Sequence, residues 1–227
     1  MYGVSLPEQV VGGDFFDFII YDDGSLGVLL SDVSGHGVPA AFVTSMIKSF
    51  ILQYGSAFRS PARFLYDLNE FLIGLTSGNF VTAFYGIISP DRRGFVYANA
   101  GHNLPYLVRE NGVAPLAGGT KGLPLGIMDN DALRESGKGY EDNKALFASG
   151  EKLFLYTDGL VETIPLDCPG QAGFESSYEH LMIKPVLHAS RRLDCRGVVD
   201  HVHQDLIRFR GGTEFEDDVC MICVDLP

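Results

Sequence analysis

A chain of 227 residues and 24.8 kDa is long enough for one substantial domain and short for two. Its content of 46% hydrophobic and 20% charged residues is that of a globular protein, not of a disordered or fibrous one. Acidic side chains number 29 against 17 basic ones, and the formal charge of −12 argues against a nucleic-acid binder, which needs a basic face to displace counterions from phosphates.

The first eight residues, Met-Tyr-Gly-Val-Ser-Leu-Pro-Glu, lack the basic and apolar regions of a secretory signal. Phe15–Tyr21 and Leu26–Asp32 are short apolar runs around Asp22-Asp23-Gly24-Ser25, which predicts a hairpin. After the turn Ser34-Gly35-His36-Gly37 the period changes. Val38, Ala41, Phe42, Ser45, Met46, Ser49 and Phe50 recur at three- and four-residue spacing, the face of an amphipathic helix over about Val38–Tyr54 with Pro39 in its first turn. Ser45, Lys48 and Ser49 interrupt this apolar stretch well before the roughly 20 residues that a bilayer span needs, so no membrane insertion is expected.

Ser60 as a cap and Pro61 behind it open a second helix, about Ser60–Leu75, through Phe64, Leu65, Leu68, Phe71, Leu72 and Leu75. Strands follow at Phe80–Ile88 and Gly94–Ala100, then Gly101-His102-Asn103 reads as a hairpin connection and Pro105–Arg109 as a further arm before Asn111-Gly112. Asp129–Asn143 is polar and irregular, a surface excursion. Leu153–Thr157 predicts a strand, Arg196–Phe209 a helix and Asp218–Asp225 a closing strand. Repeats are absent. Two antiparallel sheets with a helical pair after the first hairpin make an α+β sandwich the expected fold class, one domain over residues 1–227. The four cysteines, Cys168, Cys195, Cys220 and Cys223, form no disulfide framework, which points to a reducing, cytoplasmic setting.

The acidic residues carry the chemistry. Asp14 follows Gly12-Gly13, Asp32 ends a strand, Asp158 stands in Tyr156-Thr157-Asp158-Gly159, and Asp217-Asp218 precede the last strand. A carboxylate at a strand end is held rigidly yet faces solvent, and a neighbouring glycine lets a backbone carbonyl approach an ion. Hard divalent cations want such an all-oxygen shell. A single Asp-Gly is an ordinary turn pair; the set together is the signal. Metal held by carboxylates would also let so acidic a chain accept a phosphate-bearing substrate.

The motifs occur in a recognisable order. Val11-Gly12-Gly13-Asp14-Phe15-Phe16-Asp17-Phe18 precedes Ser31-Asp32-Val33-Ser34-Gly35-His36-Gly37-Val38-Pro39-Ala40-Ala41, then Tyr97-Ala98-Asn99-Ala100-Gly101-His102-Asn103 and Gly122-Leu123-Pro124-Leu125-Gly126. Leu155-Tyr156-Thr157-Asp158-Gly159-Leu160-Val161-Glu162 and Asp217-Asp218-Val219 complete the series. From about Val11 to Val224 the chain resembles the bacterial branch of the metal-dependent protein phosphatases, the PPM superfamily, which includes the stage II sporulation protein E phosphatase and regulators of stress sigma factors.

That resemblance implies a four-layer α-β-β-α sandwich with a centre of two Mn²⁺ or Mg²⁺ ions. By matching position Asp14, Asp32, the backbone carbonyl of Val33, Asp158 in its Asp-Gly turn, and Asp217 in preference to Asp218 would be the metal ligands. Cys220 stands where the family generally has Thr or Ser. The implied activity is a protein serine/threonine phosphatase with a metal-activated water as nucleophile. The implied substrate is a phosphorylated anti-sigma-factor antagonist of the STAS type, and an upstream sensor or receiver domain and a homodimer are the other implied partners. An excised catalytic domain is expected. Magnitudes agree with metal: enzymes accelerate phosphate-monoester hydrolysis by up to about 10²¹-fold, whereas one general acid or base contributes about 10²–10⁴. The competing reading is a catalytically inactive phosphatase-like module that sequesters a signalling partner; a third is a small-molecule phosphatase.

Other features have bland readings beside functional ones. His36 could protonate a departing alkoxide or be an exposed turn residue. His102 and Asn103 could line a substrate mouth. Asp200, His201, His203 and Asp205 read as a solvated helix face, because spacings of one and two do not converge on a helix. Cys220 and Cys223 project to opposite faces of a strand, which disfavours zinc. Gly12-Gly13-Asp14-Phe15-Phe16 differs from the diguanylate cyclase signature in having Phe15 for glutamate, and Gly118–Gly122 lacks the spacing of a nucleotide loop. The helix pair either covers one sheet or, by the resemblance, couples dimerisation or a sensor to assembly of the metal site.

Overall fold

The computed structural model describes residues 1–8, 11–167 and 174–226; Cys168 lies outside them. In chain order the elements are β1 (Tyr2–Leu6), β2 (Phe15–Ile20), β3 (Leu26–Val33), α1 (Val38–Tyr54), α2 (Pro61–Leu72), β4 (Val81–Ile88), β5 (Gly94–Ala100), β6 (Tyr106–Arg109) and β7 (Gly112–Pro115). They continue with β8 (Lys121–Gly122), α3 (Asn130–Glu135), β9 (Asn143–Leu146), β10 (Glu151–Tyr156), α4 (Asp158–Glu162), α5 (Tyr178–Leu181), α6 (Ile183–Ser190), α7 (Cys195–Arg210) and β11 (Val219–Leu226). The chain is thus α+β, as the alternation of short apolar runs and amphipathic stretches predicts. It divides into two units, a central one of Gln9–His102 and Gly118–Phe147 and a terminal one of Met1–Glu8, Asn103–Ala117 and Ala148–Pro227.

In the central unit the order is β2-β3-β4-β5-β8, with β9 also paired to β5. The β2–β3 hairpin has the expected turn: Gly24 takes φ +83°, and Asp23 Oδ1 accepts from the Ser25 amide at 2.9 Å. Helices α1 and α2 cover one face of the sheet, where Leu29, Val33, Ala83, Tyr85 and Ile87 meet Ile47, Phe64, Leu65 and Leu68. Ser60 caps α2 as predicted, its Oγ accepting from the Arg63 amide at 3.1 Å. The helix ends at Leu72, not Leu75, because Gly74 turns the chain at φ +78°.

The structure corrects the packed face of α1. Ala40, Val43, Ile47, Phe50 and Ile51 are buried, whereas Phe42 of the predicted stripe is 63% exposed and Val38 59%. This helix is apolar almost all round, so two stripes at helical spacing compete. The core takes the one with the β-branched pair Val43 and Ile47.

The terminal unit is a five-stranded sheet, order β1-β11-β10-β6-β7. Tyr106, Phe154, Tyr156, Met221 and Cys223 pack beneath Leu187, Val198, Val202 and Leu206 of α6 and α7. Cys195, Cys220 and Cys223 are free and buried. Cys223 belongs to this cluster and Cys220 does not, consistent with projection to opposite faces. Asp194 caps α7 with its side chain on the Gly197 amide at 2.8 Å, and Gly211 closes it at φ +79°.

Two further expectations change. β5 and β6 belong to different sheets, so Gly101-His102-Asn103 is not a hairpin connection. The polar stretch Asp129–Asn143 holds α3, capped by Asp129 Oδ1 on the Ala132 amide at 2.8 Å. Among the described residues no helix is long and apolar enough to cross a membrane.

Candidate metal centre

In the central unit the β2–β3 ladder pairs Phe15 with Ser31. One step beyond, the same register sets Asp14 opposite Asp32, so one hairpin end presents two carboxylates. The Val33 amide donates to Gly13 O at 3.3 Å. A Cβ on Gly13 would stand 2.7 Å from the Val33 carbonyl oxygen, so only glycine fits against it. The chain then departs sharply: Gly37 caps α1 with φ 72° and ψ −150°, a region essentially reserved for glycine. His36 lies exposed between Gly35 and Gly37, and the Ser34 hydroxyl ties the turn to the Phe80 amide at 2.9 Å.

In the terminal unit Asp158 is the first residue of α4, not part of an open turn. The Thr157 hydroxyl accepts from the Cys220 amide at 2.8 Å and the Thr157 amide donates to Cys220 O at 3.1 Å, which fixes the helix start to β11. Gly159 has a structural reason: a Cβ there would lie 2.1 Å from Asp218 O and 3.3 Å from Asp217 Cβ. The glycine lets α4 approach the Asp217–Asp218 segment. Burial, and then the charge of Asp217, push the Asp158 carboxyl above the usual carboxylate range. Glu162 is raised too, by burial and then by Asp158 and Asp217.

Asp218 is 6% exposed and its Oδ1 accepts from the Glu8 amide at 2.8 Å. Asp217 lines a cleft of about 200 Å³ with Gly159, Glu162, Thr163, Arg210 and Glu216. Sequence reasoning had not singled out Glu162 or Arg210. Glu162 lies one helical turn after Asp158 in the quoted motif, the i,i+4 relation that stacks side chains on a helix. The Arg210 guanidinium is buried on three acceptors: Ile164 O at 2.8 Å, Glu216 Oε1 at 2.9 Å and Glu214 O at 3.4 Å. It follows Leu206 by four residues on the buried stripe of α7, and that spacing was the available signal.

Each unit therefore brings a pair of carboxylates: Asp14 with Asp32, and Asp158 with Asp217. Among the described residues no group of three or more His, Cys, Asp and Glu side chains stands together as a metal cage. The donor set nevertheless fits hard divalent cations: every candidate donor is oxygen, from four carboxylates and one backbone carbonyl. The helix face of the sequence analysis gives no convergent site. Asp200 pairs with Arg196 at 3.6 Å, and Asp205 accepts from the Tyr178 hydroxyl at 3.0 Å.

Comparison with known proteins gives a consistent result. The family model described as Stage II sporulation protein E (SpoIIE) matches residues 22–227. The chain is 26% identical over 222 residues to phosphoserine phosphatase RsbU of Bacillus subtilis (strain 168), covering 96% of this chain and 61% of that protein. It thus spans less than two thirds of the length of the curated relatives it matches. Among solved structures, the SiaA-PP2C domain of Pseudomonas aeruginosa superposes with a TM-score of 0.79 at 22% identity, covering all of this chain and 84% of that one. The RsbU and RsbW domains of Rv1364c from Mycobacterium tuberculosis give 0.74 at 23% identity, covering all of this chain and 60% of that one. These likenesses show the PP2C, or PPM, fold.

Proposed function

The chain belongs to the stage II sporulation protein E family, a family of PPM-type serine/threonine phosphatase domains, and on that premise we propose the ligands, reaction and partners of this domain. The domain hydrolyses phosphoserine and phosphothreonine in a protein substrate. Asp14, Asp32, the Val33 carbonyl, Asp158 and Asp217 hold two divalent ions, Mn²⁺ or Mg²⁺. When bound, such ions balance the four carboxylates, draw a nucleophile from water at neutral pH and neutralise phosphate oxygens. The observation that most supports this reading is geometric: the β2–β3 register sets Asp14 opposite Asp32, and Gly159 admits the close approach of α4 to Asp217.

The residues of the chain supply the rest. Gly13 and Gly159 admit the close backbone approaches that set the two carboxylate pairs. His36, on the exposed turn after Asp32, gives its proton to the departing serine or threonine oxygen. The resemblance, with the likeness to the RsbU and RsbW domains of Rv1364c, supports a phosphorylated STAS-type anti-sigma-factor antagonist as substrate. The exposed Val38, Phe42 and Leu52 of α1 support a homodimer.

The reading is tested with purified protein, Mn²⁺ and a phosphoserine protein. Phosphate release is expected from the parent and none above background from Asp32→Ala, whose circular dichroism and melting curve stay native. Full activity in a folded Asp32→Ala protein would overturn it.

A further inference from the structure

Two motifs, Tyr97–Asn103 and Gly122–Gly126, have no part in the scheme above, and in the central unit Gly101 of the first meets Pro124 of the second. Thr82 is the direct cross-strand partner of Asp32 in the β3–β4 ladder. Opposed residues put their Cβ atoms about 4.5–5.5 Å apart on one face of a sheet. Here it is the face away from α1 and α2, since Val33, Ala83 and Tyr85 occupy the other.

Thr82 Oγ1 lies 2.7 Å from His102 Nδ1. The histidine is rigidly mounted. Its amide donates to Asn99 Oδ1 at 2.8 Å, and its carbonyl accepts from Asn99 Nδ2 at 3.0 Å. Both are buried, His102 at 3% exposure and Asn99 at 1%. Gly101, at φ +76°, lets the chain turn into this mount, and a Cβ there would stand 2.7 Å from Pro124 Cγ, which packs the second motif behind the first. Burying an imidazole and an amide is costly unless both are hydrogen-bonded. Asn99 holds the histidine backbone, and the ring addresses a hydroxyl beside Asp32.

We propose that Asn99, His102 and Thr82 form a positioning relay for Asp32. With the proton on Nδ1, the imidazole donates to Thr82 Oγ1 and leaves the threonine proton to the Asp32 carboxylate. The carboxylate is thereby held in one rotamer before an ion reaches it. Such outer hydrogen bonds on a ligating carboxylate are worth about 10–100-fold in metal affinity. The inference rests on the reading of Asp32 as a metal ligand.

Mn²⁺ titration calorimetry and metal-free melting on the whole chain test it. Thr82→Val keeps the shape and removes the hydroxyl; Mn²⁺ affinity is expected to fall roughly 10–100-fold, and the metal-free melting temperature by a few degrees because the buried His102 Nδ1 loses its partner. Thr82→Ser restores the affinity. His102→Phe keeps a ring without the donor and is expected to weaken Mn²⁺ as Thr82→Val does. Wild-type affinity in Thr82→Val or His102→Phe overturns the relay, and so does a serine variant as weak as the valine one. Asp32→Ala, measured alongside, separates the two ideas: wild-type Mn²⁺ affinity there overturns the metal reading itself.

Discussion

Gly159 illustrates what one hydrogen atom in place of a methyl group accomplishes. The missing Cβ leaves room for the Asp218 carbonyl, 2.1 Å from where the methyl would be, and so for Asp158 and Asp217 to interact. Gly159→Ala must push α4 off that segment. A cost of about 1–3 kcal/mol is expected, with Mn²⁺-dependent phosphate release falling more steeply than the urea midpoint. His203 makes a second residue-level prediction. Burial pushes its imidazole below the ordinary histidine value, with Asp200 offsetting part of this. The unfolded chain then binds the proton more tightly than the folded one. Stability is intact above about pH 6.5, the ordinary histidine value, and is lost as pH falls through it towards the lower folded value. His203→Gln should flatten that loss in urea midpoints measured at pH 7.5 and pH 5.5; an equal loss in parent and variant would rule the residue out. At this scale the sequence showed the Asp-Gly and Gly-Gly-Asp motifs and was silent about the packing that requires their glycines. Asp158-Gly159 read as turn chemistry, because a glycine chosen for close approach and one chosen for φ look alike in a sequence.

Among the elements, periodicity located α1 and α2 but misjudged the face of α1. The distinction is measurable: Ile47→Ala should cost about 2–5 kcal/mol, since Ile47 is wholly buried, while Phe42→Ala should stay within about 0.5 kcal/mol. A reversed order would restore the stripe expected from sequence. The elements that escaped sequence reading share physical reasons. α3 has only six residues and α5 four, too few to show a period. α6 carries Pro185 in its first turn, where a proline costs no hydrogen bond but reads as a breaker. β1 is half-buried over most of its five residues and shows no alternation. The end of α2 was overrun because Leu75 continues the apolar spacing beyond the glycine that stops the helix.

At the level of the whole chain, hairpins between sequence neighbours were legible: β2 with β3, and β4 with β5. The pairing of β11 with both β1 and β10 was not, because nothing in local pattern reports a partner so far along the chain; Tyr156 pairs with Met221 and Tyr2 with Cys223. The carboxylate pairs follow the same rule. Each pair was legible as motifs, and the outer contacts of Arg210 and His102 came only with tertiary structure. Deleting Met1–Leu6 would strip one side of β11 and uncover Tyr2, Val4 and Leu6 positions packed on the terminal core. A fall of roughly 5–10 °C in melting temperature is expected, with aggregation through the bared strand. An unchanged melt would show that β1 adds nothing to the sheet.

The place of β11 also orders biogenesis. It lies in the interior of the terminal sheet, between β1 and β10, yet follows every other element in the chain. A ribosome therefore makes β1 long before its partner β11, and every strand of the central sheet is synthesised between the two. β1 thus has no neighbour in its sheet until β11 is made, and joining the two is a contact of high sequence separation, the kind that forms slowly.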